Sequence, residues 1–222
     1  TDDTRETGTI NAAVRSIVAY NTDSELIPSI RSNGVMIAQI VPSGGLISGA
    51  SSVVHLDAWN WEDAVIEMDH VIHLNWSSKY ANAYRRTEPL QKNKNYDMQV
   101  ESIQKFFMDA KAYDKMSKPE KTNLHFESVQ GLFNGTKKLF INVSNPTEII
   151  ESVLFAEKCG IKEIVLTGVG EKALQVKDFI KEHGLPVILG EPHSLPGSED
   201  EDGWINAKLP AIFYKEGINT AI

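Results

Sequence analysis

The chain has 222 residues, of which 41% are hydrophobic and 23% charged, with a formal net charge of −8 and a pI near 5.3. This is an ordinary composition, long enough for one domain with a substantial core. Its acidity argues against a general nucleic-acid or membrane-surface binder, since both need a concentrated positive field.

The apolar runs fall far short of the ~20 residues a membrane helix needs. The single cysteine, Cys159, excludes an internal disulfide and fits a reducing compartment without assigning one. No signal peptide is visible, and the chain opens at Thr1 without a methionine. It therefore reads as a section of a longer precursor, organised as a single α/β domain over residues 1–222.

Along the chain, Ile10, Val14, Ile17 and Val18 have the spacing of one helical face, which predicts a helix over Thr9–Tyr20. Asn33-Gly34 marks a turn, and Val35–Val41 reads as a buried strand ended by Pro42. Ser51–Leu56 is a shorter strand. Asn60 is placed to cap a short helix running through Asp69, with Asp63 in its third position. Ser77–Asp97 has little apolar periodicity and is locally basic. It reads either as a solvated excursion or as a lid or anion-binding surface. Val100–Met116 returns to helical spacing.

From Leu139 the rhythm becomes regular. A strand at Leu139–Val143 leads to a helix begun by Asn145-Pro146 and stopped at Gly160, with Ile149, Ile150, Val153 and Leu154 on its buried face. A strand at Glu163–Thr167, a helix at Glu171–His183 stopped by Gly184, and a strand at Pro186–Leu189 follow. Nearly continuous apolar strands alternating with amphipathic helices predict an α/β fold of parallel β/α repeats. A doubly wound sheet and a barrel share this pattern.

Several groupings carry chemistry in principle. Gly168-Val169-Gly170-Glu171-Lys172-Ala173 matches G-x-G-x-x-G/A after a strand, with Glu191 about twenty residues on, as in a dinucleotide fingerprint. Glycine at a strand-to-helix turn also has a purely steric reading. His70 and His73 lie three apart, either as metal ligands or as structural histidines. His193 follows the last clear strand, where α/β folds place their sites, and is read as an acid/base or substrate contact or as a loop-packing residue. The acidic run Glu199–Asp202 reads as a solvated helix start. Ser43, Ser48, Ser51 and Ser52 read as loop serines outside any nucleophile elbow, and Cys159 as a core filler.

The stretch Ala19–Trp76 resembles the imidazolonepropionase-related branch of the amidohydrolase superfamily. The residues that carry the resemblance are Ala19–Ser24, Arg31–Val35, Ala38-Gln39, Gly44–Gly49, Ser51–Val54, Leu56–Asp63 and His73–Trp76. Ser51–Asp63 is the most specific block, and similar words continue to His193–Pro196.

The resemblance implies part of a TIM-barrel-like (β/α)8 fold, incomplete in this chain. It also implies a reaction class in which a divalent metal such as Zn²⁺ activates water to cleave an amide or cyclic-amide C–N bond. Such proteins take metal ligands from an H-x-H on the first strand, single histidines on the fifth and sixth, and an aspartate on the eighth. Asn142 and Gly168 stand at the two histidine places. An amide oxygen is a poor Zn²⁺ ligand beside imidazole, and glycine has no side chain. The chain is thus expected to hold no metal, to have no catalytic residue of its own, and to behave as a pseudoenzyme section.

His73, Asn75, Trp76 and His193 are the expected contacts to a small-molecule substrate or ligand. A homo-oligomer or flanking barrel strands are expected to cover the open sheet edges. The alternatives are a non-catalytic binding or assembly module, and a dinucleotide-binding β/α domain.

Overall fold

The computed structural model describes residues 7–81, 91–116, 121–190 and 203–222. They fall into two compact units, Thr1–Asn75 with Phe106–Leu139, and Trp76–Lys105 with Phe140–Ile222. The division passes through one long helix and one strand, both named below.

In the first unit α1 (Leu26–Ser32) leads into β1 (Ile37–Ile40), β2 (Ile47–His55), α2 (Trp61–Ala64) and β3 (Val65–Asn75). The strands lie in the order β1-β2-β3 and pair antiparallel. This corrects the expectation of parallel strands throughout. β1 is the end strand of its sheet, and Met36 and Ile37 are 56% and 58% exposed. The Val35–Val41 run is therefore an edge and not a buried strand.

The other face of these strands packs on a core of Ile17, Tyr20, Ile27, Val54, Leu56 and Ala64, with Ala38, Ile40, Trp61 and Val65 against it. Burial of Ile17, Ile27, Val54 and Leu56 contributes roughly 1.5–3 kcal/mol each.

Two more expectations fail in this unit. Residues 9–20 are not one helix. Ile10 bridges to Ile47 and Arg15 to Ala50, and only Ser16–Ala19 coil, as a 3₁₀ turn. Gly49 makes this approach possible: it has φ +126°, and a Cβ there would lie 2.5 Å from the Val14 carbonyl oxygen. Asn60 does cap a helix, accepting from the Asp63 N–H at 2.7 Å, but α2 stops at Ala64 and β3 begins at once. Val65 and Ile66 are β-branched and favour the pleated surface they find beside β2.

β4 (Tyr80–Ala81) and β5 (Gln91–Lys92) form a two-stranded ribbon inside the segment expected to be a loop. Helix α3 (Tyr96–Asp114) follows, and the division between units falls within it. Its first-unit half packs with α4 (Leu124–Asn134), where Phe126 sits 5.6 Å from both Phe106 and Tyr113, ring centre to ring centre. Asn123 caps α4 and Gly135, at φ +81°, ends it.

The second unit takes in the end of β6 (Lys138–Asn142), then α5 (Pro146–Cys159), β7 (Ile164–Val169), a 3₁₀ turn at Glu171–Val176, α6 (Lys177–Glu182), β8 (Val187–Leu189), α7 (Ile205–Lys215) and β9 (Thr220–Ala221). Here the expected rhythm is present. β7-β8 and β8-β9 pair parallel, and β6 lies beside β7. Helix α5 starts at Pro146 under the Asn145 cap and stops at Gly160 in the left-handed region. It buries Ile149, Val153, Phe155, Ala156 and Cys159, whereas Leu154 is exposed.

Candidate functional site at the strand ends

Asn142 is the last residue of β6, and Gly168 lies one residue before the end of β7. The Val143 N–H donates to the Thr167 carbonyl at 3.0 Å, which holds the two ends side by side. Thr167 pairs with Ile188 and Val169 with Leu189, so Gly168 is the extra residue of a bulge. Its φ is +68°, and a Cβ built on it would stand 2.4 Å from Asn142 Oδ1. The amide of Asn142 thus occupies the space where any side chain at position 168 would begin.

A divalent cation does not fit this pair. It offers one neutral amide oxygen and no imidazole, thiolate or carboxylate. Among the described residues there is no group of three or more His, Cys, Asp or Glu arranged to hold a metal.

Gly168 and Val169 of the glycine-rich segment belong to β7, and Gly170 precedes a 3₁₀ turn. The first glycine is thus inside the strand and not at the turn where a fingerprint would place it. Glu191, His193 and Glu199–Asp202 lie outside the described residues.

Trp76 follows β3 and is 7% exposed. Its backbone N–H donates to the Asn142 carbonyl at 3.2 Å, and its ring packs on Phe155 of α5 at 5.8 Å. The indole N–H meets no acceptor in hydrogen-bond geometry, and the Tyr96 hydroxyl is the polar group it acts on.

The next residues are tied to α5. Glu148, 3% exposed, accepts from the Lys79 N–H at 2.8 Å and the Ser78 hydroxyl at 3.2 Å. Glu151 accepts from Lys79 Nζ and from the Tyr96 hydroxyl, each at 2.5 Å. Burial pushes the Glu151 carboxyl up, but these two hydrogen bonds outweigh it and hold it below the usual carboxylate range. The Tyr96 phenol is pushed up to about 12, by burial first and then by its bond to Glu151.

In the first unit, His73 lies on β3 with Nε2 2.7 Å from Ser51 Oγ, and Gln39 Nε2 donates to the same oxygen at 2.7 Å. Burial, with a smaller contribution from nearby His70, lowers His73 to about 4. Burial also lowers His70, against the pull of Glu67.

Asn75 donates to the Gly45 carbonyl and to Ser48 Oγ, both at 2.9 Å. Ser48, Ser51 and Ser52 are buried in β2 and not in loops as expected, and their hydroxyls bond across to β3. Of the four expected substrate contacts, then, two are built into the β2–β3 pairing and Trp76 into the packing of α5. The polar groups on β2 and on α3 were missed because their partners are distant in sequence. The only local signal was the run of small hydroxyl residues within a strand pattern.

No protein-family profile matches the chain, and no curated protein matches it in sequence. Its fold is similar to the crystal structure of an amidohydrolase from Thermotoga maritima MSB8, with a TM-score of 0.77 at 15% sequence identity. The match covers 97% of this chain and 57% of that one, so the chain spans little more than half the length of the protein it resembles. The chain has an amidohydrolase-like α/β fold.

Proposed function

We propose that this chain is a section of an amidohydrolase-type protein of the imidazolonepropionase-related branch. The parent's reaction class is hydrolysis of an amide or cyclic-amide C–N bond, and the section in hand has no metal-dependent turnover of its own. The fold likeness supports the first part, and the sequence words of Ser51–Asp63 support the branch. The single observation that carries the second part is the neutral pair at the strand ends. Asn142 and Gly168 offer a cation one weak donor, where hydrolysis of this kind needs an ion to make hydroxide at neutral pH.

Within this reading Asn75 and Trp76 are positioning residues. Asn75 fixes the end of β3 to Gly45 and to Ser48 of β2, and Trp76 ties the following chain to β6. His73 braces β2 against β3, and His193 remains the proposed contact to a small-molecule ligand.

The test is metal analysis of the purified chain after dialysis, with amide and cyclic-amide hydrolysis assayed before and after added Zn²⁺. Far less than one ion per chain and no zinc-dependent hydrolysis support the proposal. Stoichiometric zinc that survives dialysis, together with hydrolysis abolished by a chelator, overturns it.

A further inference from the structure

We infer that these strand ends exclude a metal through their backbone as well as their side chains. Asn142 and Gly168 form one interlocked unit, and restoring histidines at both positions does not rebuild a ligand pair. The inference rests on the reading of a metal-free strand end and adds why two side-chain changes cannot reverse it.

Two features interlock the pair, and the first of them persists when both residues are replaced. The first is conformational. Gly168 has φ +68°, in the left-handed region, where any L side chain is strained. It is also the extra residue of the β7 bulge, so a side chain there departs from the alternation that aims Thr167 and Val169. The second is steric. The Cβ of any residue at 168 would meet Asn142 Oδ1 at 2.4 Å, well inside van der Waals contact, while Asn142 Cγ stands clear at 3.6 Å. The terminal amide is therefore what must turn aside. The clash is local to this pair, and removing the Asn142 side chain should relieve it without relieving the backbone strain.

These features make separable predictions. Gly168→Ala should reduce the folding equilibrium constant roughly tenfold or more in the Asn142 protein. In an Asn142→Ala background the same change should cost several-fold less, because only the strain remains. That difference is the coupling a double-mutant cycle reads.

For the ion, Zn²⁺ should leave the thermal midpoint of wild type and of N142H/G168H unchanged. It should raise the midpoint of a control carrying L154H/K158H. Those residues are exposed and one helical turn apart on α5, the spacing that lets two imidazoles share an ion.

If Zn²⁺ raises the midpoint of N142H/G168H as much as that of the control, the side chains alone were the obstacle and the inference falls. The reading of a metal-free wild type would survive that result. If wild type itself responds to Zn²⁺ like the control, the proposed function falls instead. Should N142H/G168H fail to fold, the alanine cycle decides: equal cost of Gly168→Ala in both backgrounds overturns the interlock.

Discussion

Ser51 Oγ and His73 Nε2 lie 2.7 Å apart across the β2–β3 pairing. Gln39 donates to Ser51 Oγ, and the imidazole shares the same hydroxyl. Burial keeps His73 neutral, with its pKa lowered to about 4. The contacts run through a fully buried serine and link three strands, β1, β2 and β3. No nucleophile is exposed by it.

A pH dependence follows. An ordinary histidine titrates near 6.5, and His73 in the folded chain near 4, so between those values the unfolded chain binds the extra proton. Stability is therefore complete above about pH 6.5 and falls as the pH drops toward 4, by a ceiling of about 3 kcal/mol from this residue. His70, also lowered by burial, adds in the same direction. Urea midpoints measured from pH 7.5 to 4.5 should fall steeply for wild type and less steeply for His73→Leu. Parallel curves for the two proteins would show that His73 is not the titrating group.

Removing the middle and the end of this chain of contacts together should cost less than the two single removals added. Ser51→Ala leaves the Gln39 N–H and His73 Nε2 facing each other without a hydroxyl, at a cost of about 1–3 kcal/mol. In S51A/H73L the unmet Nε2 is gone along with the hydroxyl, so the double variant should lose less than the sum of the two single losses. Chemical denaturation of the four proteins gives the coupling directly, and strict additivity would refute the shared network.

Tyr96 should ionise well above an ordinary tyrosine. The chain has six tyrosines, and the Tyr96 phenol is pushed up to about 12 against an ordinary 10.0. Its neutral form is the one the fold prefers, so its contribution is present below pH 10 and is lost as the pH rises toward 12. An ultraviolet titration of wild type minus Tyr96→Phe should isolate a transition near the upper end. Glu151→Gln should move that transition down, since it removes the carboxylate that accepts from the phenol. A difference curve centred at 10 would contradict the assignment.

The contrast between the two units explains what could be read from residues alone. Between Lys138 and Leu189 most elements are announced locally: Asn145 and Pro146 begin α5, Gly160 ends it, and the strands are short apolar runs, although the helix expected at Glu171–His183 divides into a 3₁₀ turn and α6. In the first unit the decisive contacts are distant. Ile10, Val14, Ile17 and Val18 have helical spacing, yet pairing with Ile47 and Ala50 overrides it, and only the left-handed Gly49 permits that approach. The Val35–Val41 run states that these residues are apolar and extended but not which strand ends the sheet. The site divides in the same way. Asn142 and Gly168 were legible because they end local β/α units. The partners of Ser51 and Tyr96 lie 22 and 55 residues away and leave no local trace.

Glu148 offers a separate test of how the segment after β3 is held. It sits in the first turn of α5, where a carboxylate is favoured by the helix dipole, yet its bonds go to the Lys79 N–H and the Ser78 hydroxyl. Because it is buried, those two donors have little access to water once it is gone. Glu148→Ala should therefore cost about 2–3 kcal/mol and expose the Ser77–Lys79 stretch to proteolysis before global unfolding. Glu148→Gln keeps an acceptor oxygen of the same reach, so it should protect the stretch and cost about 1 kcal/mol. The informative readout is the order of cleavage and unfolding along a urea series. If E148A is cut no earlier than E148Q, the Glu148 carboxylate is not what holds Ser78 and Lys79 to α5.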